Sequence, residues 1–263
     1  MPDGPLLQLT GIRKHFGGVQ VIDELSVAVR PNELVGVVGP NGAGKTTLFS
    51  MITGAVRPDA GSVVFDGRDV TSVGVAGRCR AGIGRTHQVP RPFTGMTAFE
   101  NVLVGAAHGA RARGQAAYRS AMAALESAGL DAKANVQAAD LGLLDRKRLE
   151  LARALATGPR LLLLDEVAGG LTEPEVADLV AIVLGLRGDG IAVVWIEHIV
   201  DALVSVADRL LCVAAGRVVM QGNPAEVLAS REVQEVYLGT TEPTGHVQQE
   251  VLPGGGADAG ALP

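Results

Sequence analysis

The chain has 263 residues and 47% of them are hydrophobic, enough to bury the core of one large domain or two small ones. A formal net charge of −5 argues against a general nucleic-acid-binding protein, because such proteins need a basic surface. The first residues lack the basic segment and apolar run of a signal peptide, and no apolar stretch reaches the ~18–20 residues that a membrane-spanning helix needs.

Apolar runs at residues 6–12, 25–30 and 34–38 predict the first strands, and the third run is typical of a strand buried on both faces. The pair Asp66 and Gly67 lies between two further strand-like runs and predicts a hairpin turn. The first 70 residues are therefore expected to combine antiparallel strands with one buried strand that leads into a glycine-rich segment.

That glycine-rich segment reads Gly39, Pro40, Asn41, Gly42, Ala43, Gly44, Lys45, Thr46 and Thr47. It fits the G-x-x-x-x-G-K-[ST] phosphate-binding loop, in which glycines let consecutive backbone N–H groups point at the phosphates of a nucleotide. Lys45 is expected to reach the β- and γ-phosphates and the Thr46 hydroxyl to bind Mg²⁺, at the start of a helix whose dipole adds positive charge. A chance glycine turn is the alternative, but the strand before the loop and the helical spacing after it favour a nucleotide site.

Residues 96–158 change to a helical pattern, which predicts a helical insertion of roughly sixty residues. Thr97 and Glu100 form a capping box that opens a first helix. An alanine-rich helix is expected over 115–128 and another over 145–157. The alanine-rich helix carries three larger apolar side chains on one face, namely Tyr118, Met122 and Leu125.

Alternation of strands and helices resumes after this insertion. The pattern predicts strands at 161–164, 191–196, 210–213 and 217–220, a helix capped by Thr172 and Glu175, and a short helix after Asn223 and Pro224. The two cysteines, Cys79 and Cys212, are expected to be reduced thiols with Cys212 in the core, although a disulfide stays open. Residues 240–263 contain few apolar side chains and are predicted to be a disordered tail.

Two adjacent carboxylates follow the four leucines of the strand at 161–164. A buried parallel strand would deliver Asp165 and Glu166 at its carboxyl end, beside the phosphate loop, where open α/β sheets bind ligands. Asp165 is then expected to help hold Mg²⁺ through water, and Glu166 to polarise the attacking water as a general base. A solvated acidic turn is the alternative, and the independent phosphate loop favours the catalytic interpretation.

With these two motifs in this order, residues 6–239 resemble the ATP-binding subunit of ABC transporters. The resemblance implies an α/β fold in which a P-loop (RecA-like) parallel sheet core carries an antiparallel β subdomain and an inserted helical subdomain at about 96–158. It implies an ATPase that uses ATP and Mg²⁺. It also assigns roles to single residues: Phe16 stacks on adenine, Gln88 touches Mg²⁺ and the coupling interface, His198 contacts the γ-phosphate, and Gly169, Gly170, Leu171 and Thr172 form a dimer-contact loop.

Without the resemblance, Phe16 would be an ordinary core residue, Gln88 would carry no meaning, and His198 would be a locally hydrogen-bonded histidine. Within the family, five stretches resemble the branched-chain amino-acid importers: 16–18, 85–88, 148–155, 196–198 and 237–239. This implies a second ATP-binding subunit and membrane-spanning permease subunits as partners, with a solute-binding protein acting indirectly. The chain would then lie at the cytoplasmic face of the cell membrane, and no nucleic acid is expected as a partner.

The segment Leu141-Gly142-Leu143-Leu144-Asp145 departs from the family's signature loop, Leu-Ser-Gly-Gly-Gln or Leu-Ser-Tyr-Gly-Gln. In the family this loop closes over ATP held by the partner chain and its serine donates to the γ-phosphate, which Gly142 cannot do. Asp145 would cap the helix but adds negative charge near a triphosphate. We therefore expect a heterodimer with unequal sites, while a tolerated variant that uses backbone N–H groups stays open. Two smaller departures are Val167 in place of proline and Thr172 in place of asparagine or aspartate.

Two other functions compete with transport. The first is an ABC-type ATPase that acts on nucleic acid or ribosomes, against which stand the single cassette and the negative charge. The second is a nucleotide-dependent dimerisation module that hydrolyses weakly or not at all, which the altered signature loop suggests. Glu166 and His198 argue against it because both belong to hydrolytic equipment.

Overall fold

The computed structural model describes residues 4–238, so the tail predicted at 240–263 lies outside the described residues. The described chain has a P-loop α/β fold, which confirms the predicted fold class. Its strands are β1 (Leu7–Phe16), β2 (Val19–Val29), β3 (Leu34–Val38), β4 (Ala60–Phe65), β5 (Arg68–Asp69), β6 (Ile83–Arg85), β7 (Leu161–Asp165), β8 (Ala192–Ile196), β9 (Arg209–Ala214) and β10 (Arg217–Gly222). Its α-helices are α1 (Lys45–Thr53), α2 (Val75–Ala81), α3 (Ala98–Val104), α4 (Gln115–Ser127), α5 (Leu143–Leu155), α6 (Glu173–Gly188), α7 (Val200–Val204), α8 (Pro224–Ala229) and α9 (Arg231–Leu238).

The larger sheet has the strand order β10-β9-β3-β8-β7-β6 and is parallel except for the hairpin of β9 and β10. Its register aligns Val37 of β3 with Ile196 of β8, and Ile196 with Asp165 of β7. The carboxyl ends of these three strands therefore reach the same edge of the sheet, where parallel α/β sheets carry their ligand sites.

The smaller sheet is antiparallel, with the order β2-β1-β4-β5, and packs over α1 and one face of the larger sheet. Alternate residues of β3 point to opposite layers: Val35 and Val37 join the cluster with the antiparallel sheet, and Leu34 and Val38 join the cluster beneath α6. Strands buried on both faces read as continuous apolar runs, which is why the sequence pattern located them.

Helices α3, α4 and α5 share a third apolar cluster made largely of alanine. On α4 the buried stripe is Ala117, Ala121, Ala124 and Leu125, because alanine lets helices approach closely. The larger Tyr118 and Met122 do not share the burial of Leu125, since they are 55% and 41% exposed. A π-helical turn at Gly105–Gly109 and two 3₁₀ turns, Asp131–Lys133 and Ala138–Asp140, complete this region.

Several boundaries differ from the sequence prediction. Helix α5 begins at Leu143 and ends at Leu155, two residues earlier at both ends than predicted. It begins at Leu143 because Gly142 has extended backbone and occupies the N-cap position. Helix α2 and strand β6 were not predicted, since β6 has only three residues with Gly84 at its centre and shows no alternation. Over residues 4–238, no helix combines the length and hydropathy needed to cross a bilayer. Cys212 is buried as expected, and both cysteines are free thiols.

Arg78 on α2 is a buried cation that holds the end of α1, with only 1% of its surface exposed. Its Nη1 donates to the carbonyl oxygens of Met51 and Ile52 at 2.6 and 2.9 Å, which lie in the last turn of α1. Its Nε donates to the carbonyl oxygen of Val73 at 2.8 Å, and its Nη2 donates to the carbonyl oxygen of Thr71 at 3.1 Å. One side chain therefore caps the last turn of α1: it supplies a donor to the Ile52 carbonyl and a second donor to the Met51 carbonyl, which also accepts the N–H of Gly54.

We predict that Arg78→Met lowers the free energy of unfolding by on the order of 3 kcal/mol, because several buried carbonyl groups lose their donor. Urea unfolding of the full chain measures this loss. Arg80→Met is the matched control, since Arg80 is exposed on the same helix, and it is expected to change stability by less than about 0.5 kcal/mol. Equal losses in the two variants would contradict the role of Arg78.

Candidate functional site

The phosphate loop connects β3 to α1 and depends on glycine backbone conformations. Gly39, Gly42 and Gly44 have φ angles of 148°, 78° and 100°, in the region that side chains disfavour. A Cβ on Gly39 would lie 2.0 Å from the carbonyl oxygen of Val213, so the loop passes directly against β9. A Cβ on Gly42 would meet nothing within 4 Å. Gly39 is therefore required for close packing, whereas Gly42 serves the turn.

Lys45, the first residue of α1, lies across its own loop. Its Nζ donates to the carbonyl oxygens of Gly39 at 2.6 Å and Pro40 at 2.9 Å. Burial lowers the pKa of the Lys45 ammonium, and the nearby carboxylates of Glu166 and Asp165 offset part of that effect. The structure therefore brings the predicted lysine and both predicted carboxylates into one electrostatic neighbourhood.

Asp165 ends β7 and is 3% exposed. Its Oδ2 accepts a hydrogen bond from Nη2 of Arg85 at 2.7 Å, and its backbone N–H donates to the hydroxyl of Thr86 at 3.3 Å. Thr46 is exposed at the start of α1. A hydroxyl and a carboxylate are oxygen ligands of the kind that Mg²⁺ accepts beside nucleotide phosphates, so these residue types fit the predicted ion.

Glu166 comes directly after β7 with a φ of 49°, a left-handed conformation that is unfavourable for a residue other than glycine. Its Oε1 lies 2.9 Å from Nε2 of His198, which lies just beyond the end of β8. Its Oε2 accepts a short hydrogen bond from Nε2 of Gln88, in the loop after β6. Three predicted site residues from three separate strand ends therefore meet at one carboxylate.

Two buried charged residues near this carboxylate were missed by the sequence analysis. Glu197 is 2% exposed and Lys147 is 5% exposed. Burial raises the pKa of the Glu197 carboxyl, and burial lowers the pKa of the Lys147 ammonium. Glu197 directly precedes His198, and the two follow the apolar strand β8. The sequence does not show that the side chain of Glu197 is buried rather than exposed like that of His198. Lys147 lies on α5, and a helix sequence does not reveal that a lysine reaches a neighbouring strand end.

Phe16 lies at the end of β1, and half of its surface is exposed. It is therefore not a core residue, which was the alternative on sequence grounds. Nζ of Lys14 lies 5.4 Å from the centre of its ring. The β1–β2 hairpin passes the phosphate loop at Ile22, whose Cδ1 would lie 2.8 Å from a Cβ on Gly44. An exposed aromatic ring on a hairpin that contacts the phosphate loop through Ile22 is suited to stacking on a base.

The loop at 141–145 begins α5 without a side-chain cap. Gly142 is the N-cap, so Asp145 lies in the first helical turn and does not cap the helix as predicted. The Asp145 carboxylate pairs with Nζ of Lys133 at 2.5 Å. Leu143 is 48% exposed and faces Gly170 of the predicted dimer-contact loop. The loop therefore offers backbone N–H groups and an apolar side chain where the resemblance expects a serine hydroxyl.

Comparison with known proteins identifies the family. The family model described as "ABC transporter" matches residues 22–169, which is more than half of the chain. The chain belongs to the ABC transporter family. It is therefore an ATP-binding cassette subunit of a transporter and an ATPase that binds nucleotide.

Several relatives match over nearly their whole length. The high-affinity branched-chain amino acid transport ATP-binding protein LivG of Escherichia coli (strain K12) is 35% identical over 253 residues, which covers 89% of this chain and 98% of LivG. The lipopolysaccharide export system ATP-binding protein LptB of Haemophilus influenzae is 33% identical over 234 residues, which covers 89% of this chain and 97% of LptB. Among solved structures, the ADP conformation of the ABC-transporter cassette MJ1267 matches with a TM-score of 0.83 and 30% identity, over 89% of this chain and 99% of that chain.

We predict that Gly39→Ala destabilises the chain by about 3 kcal/mol or more, because its Cβ would overlap the Val213 carbonyl and the backbone of β9 cannot yield cheaply. Gly42→Ala has open space and is expected to cost only about 1–2 kcal/mol, from the positive φ alone. Thermal or urea unfolding without nucleotide compares the two variants. The explanation is wrong if Gly42→Ala proves the more damaging substitution.

Proposed function

We propose that this chain hydrolyses MgATP with Lys45, Asp165, Glu166 and His198 as the working residues, in a cassette that spans residues 6–239 with its helical subdomain at about 96–158. The observation that carries the proposal is the contact of Glu166 with both His198 and Gln88, beside the phosphate loop. A carboxylate held by a histidine and an amide beside a phosphate-binding lysine suits activation of water for attack on a phosphoryl group.

The positions of these groups define the steps. The backbone N–H groups of the loop receive the phosphates, and Lys45 leaves the carbonyl groups of Gly39 and Pro40 to reach the β- and γ-phosphates. Glu166 accepts a proton from the attacking water, while His198 donates to the γ-phosphate. Thr46, Gln88 and, through water, Asp165 would hold Mg²⁺, which would supply positive charge to the phosphates. Phe16 supports the adenine base.

We propose that membrane-spanning permease subunits dock in a groove between the large sheet and the helical region. The groove has a volume of about 320 Å³ and is lined in part by Val75, Cys79, His87, Glu150 and Arg153. Its lining includes charged side chains: Glu150 accepts hydrogen bonds from His87 and Arg153 at 3.0 and 2.8 Å. Its position next to Gln88 supports coupling between docking and the catalytic carboxylate.

We propose import of branched-chain or related amino acids as the transport function. The 35% identity to LivG over nearly its whole length supports this choice, as do the five stretches that resemble this type of importer. The 33% identity to LptB keeps lipopolysaccharide export as the competing function. Purification through a tag on this chain, followed by identification of the permease and solute-binding subunits that accompany it, distinguishes the two.

We propose that the partner is a different ATP-binding subunit, so that the dimer has one efficient and one weak site. Gly142 lacks the hydroxyl that would donate to the partner's γ-phosphate, and loss of one such donor costs about 2.7–4 kcal/mol of transition-state stabilisation. The ion pair with Lys133 offsets part of the negative charge that Asp145 would place near a triphosphate, but it adds no hydrogen-bond donor for the γ-phosphate. The same loop supports the weaker alternative of a cassette that dimerises with nucleotide but hydrolyses slowly.

Glu166→Gln is expected to abolish ATP turnover while MgATP still binds, because the amide cannot accept the proton of the attacking water. The measurement is steady-state ATPase activity together with equilibrium binding of a fluorescent ATP analogue. Asp178→Asn is the matched control, since Asp178 is an exposed carboxylate on α6 that pairs with Arg148 of α5. Unchanged turnover in Glu166→Gln would show that the proposed base is wrong.

If the dimer is unequal, the isolated chain should turn over ATP at least about tenfold more slowly than the tagged complex does per efficient site. Gly142→Ser, which restores the missing hydroxyl, should raise the rate of the isolated chain. Gly185→Ser is a control for the added hydroxyl, because a Cβ at that position on α6 also meets nothing within 4 Å. A fast isolated chain that Gly142→Ser leaves unchanged would argue for a tolerated variant in a homodimer.

A further inference from the structure

Glu197 is a buried carboxylate that accepts hydrogen bonds from the loop after β7, from β8 and from the residue that follows it. Its Oε1 accepts the backbone N–H of Ala168 at 2.6 Å and the indole N–H of Trp195 at 3.2 Å. Its Oε2 accepts the backbone N–H of His198 at 3.2 Å. Because it is 2% exposed, water does not replace these donors. The carboxylate therefore joins the loop after β7 to the segment after β8 that carries His198.

These two loops carry the groups proposed to act on the γ-phosphate. Glu166 and His198 are 20% and 47% exposed at their side chains, so surrounding packing leaves them considerable freedom. Glu166 is two residues before Ala168, and the N–H of His198 is itself a donor to Glu197. The separation of 2.9 Å between Glu166 Oε1 and His198 Nε2 thus depends on backbone segments that Glu197 joins.

Lys147 brings helix α5 to the same place. Its Nζ lies 3.5 Å from the backbone carbonyl oxygen of Glu166, and the carboxylates that act on its charge are those of Glu197 and Glu166. A buried ammonium is costly unless a carboxylate compensates it. Lys147 therefore reaches the backbone of Glu166 from α5, and the carboxylates of Glu197 and Glu166 offset the cost of burying its ammonium.

We propose that Glu197 is a positioning residue for ATP hydrolysis that fixes Glu166 and His198 relative to each other. The inference rests on the proposed function, in which these two residues act on water and the γ-phosphate. Glu197 touches neither the phosphate loop nor Lys45, so its contribution falls on turnover and not on the binding of MgATP.

The amide of Glu197→Gln tests this because it has nearly the same shape but a different hydrogen-bonding capacity. A carboxylate accepts at both oxygens, whereas a glutamine accepts at one and donates at the other. In either orientation of the amide, its NH₂ group faces a backbone N–H, of Ala168 or of His198. One of the two loops must therefore shift, and displacements near 1 Å at a catalytic group cost up to about 10²-fold in rate.

The experiment measures ATPase kinetics of the complex purified through a tag on this chain, with binding of a fluorescent ATP analogue as a second readout. Glu197→Gln is expected to lower kcat at least about tenfold and to leave KM and the binding constant within about threefold. Glu33→Gln is the matched control: Glu33 is 9% exposed, accepts from Arg209 at 2.9 Å and lies at the opposite end of β3. It is expected to lower stability and to leave kcat unchanged.

The double variant Glu197→Gln with Lys147→Met separates positioning from stability. Glu197→Gln removes one of the two carboxylates that offset the buried Lys147 ammonium, and the double change removes that ammonium as well, so its melting temperature should exceed that of Glu197→Gln alone. Its kcat should nevertheless stay low. Recovery of kcat together with stability would overturn the inference, as would normal turnover in Glu197→Gln. An inactive wild-type complex would overturn the proposed function and this inference with it.

Discussion

The parallel register of β3, β8 and β7 is the constraint on which the rest of the site depends. Val37, Ile196 and Asp165 lie in one row across these strands, so the segments after them emerge at one edge. Those segments are the phosphate loop after β3, Glu166 after β7 and His198 after β8. A shift of one residue in any pair would turn side chains to the opposite face of the sheet and separate the carboxylate from the histidine.

Contacts to backbone groups hold several of the segments that surround this edge. Glycines with positive φ let the phosphate loop pass against β9, Arg78 closes the far end of α1, and Glu197 joins the two loops that carry Glu166 and His198. The start of α5 is built differently, because Gly142 leaves it without a side-chain cap. The strand ends thus form a connected polar site, whereas the loop at 141–145 has no side-chain donor at Gly142.

The features that the sequence predicted are those with strong local patterns. The phosphate loop has a specific spacing, and the strands buried on both faces are continuous apolar runs. The features that it did not predict depend on contacts between distant segments. Arg85 bonds to Asp165 across 80 positions of sequence, and Glu197 points inward only because Ala168 and Trp195 supply donors there. The burial of alanine in place of Tyr118 on α4 likewise depends on how closely neighbouring helices pack.

The central claim is that one MgATP site lies where these strand ends meet. A crystal structure of the chain with Mg²⁺ and a non-hydrolysable ATP analogue tests it most directly. We expect Lys45 Nζ to leave the Gly39 carbonyl for the phosphates, and the γ-phosphate to lie within about 3 Å of a donor atom of His198, or one water from Glu166. A nucleotide bound elsewhere, or a γ-phosphate remote from both residues while the Lys45–Gly39 hydrogen bond persists, would contradict it.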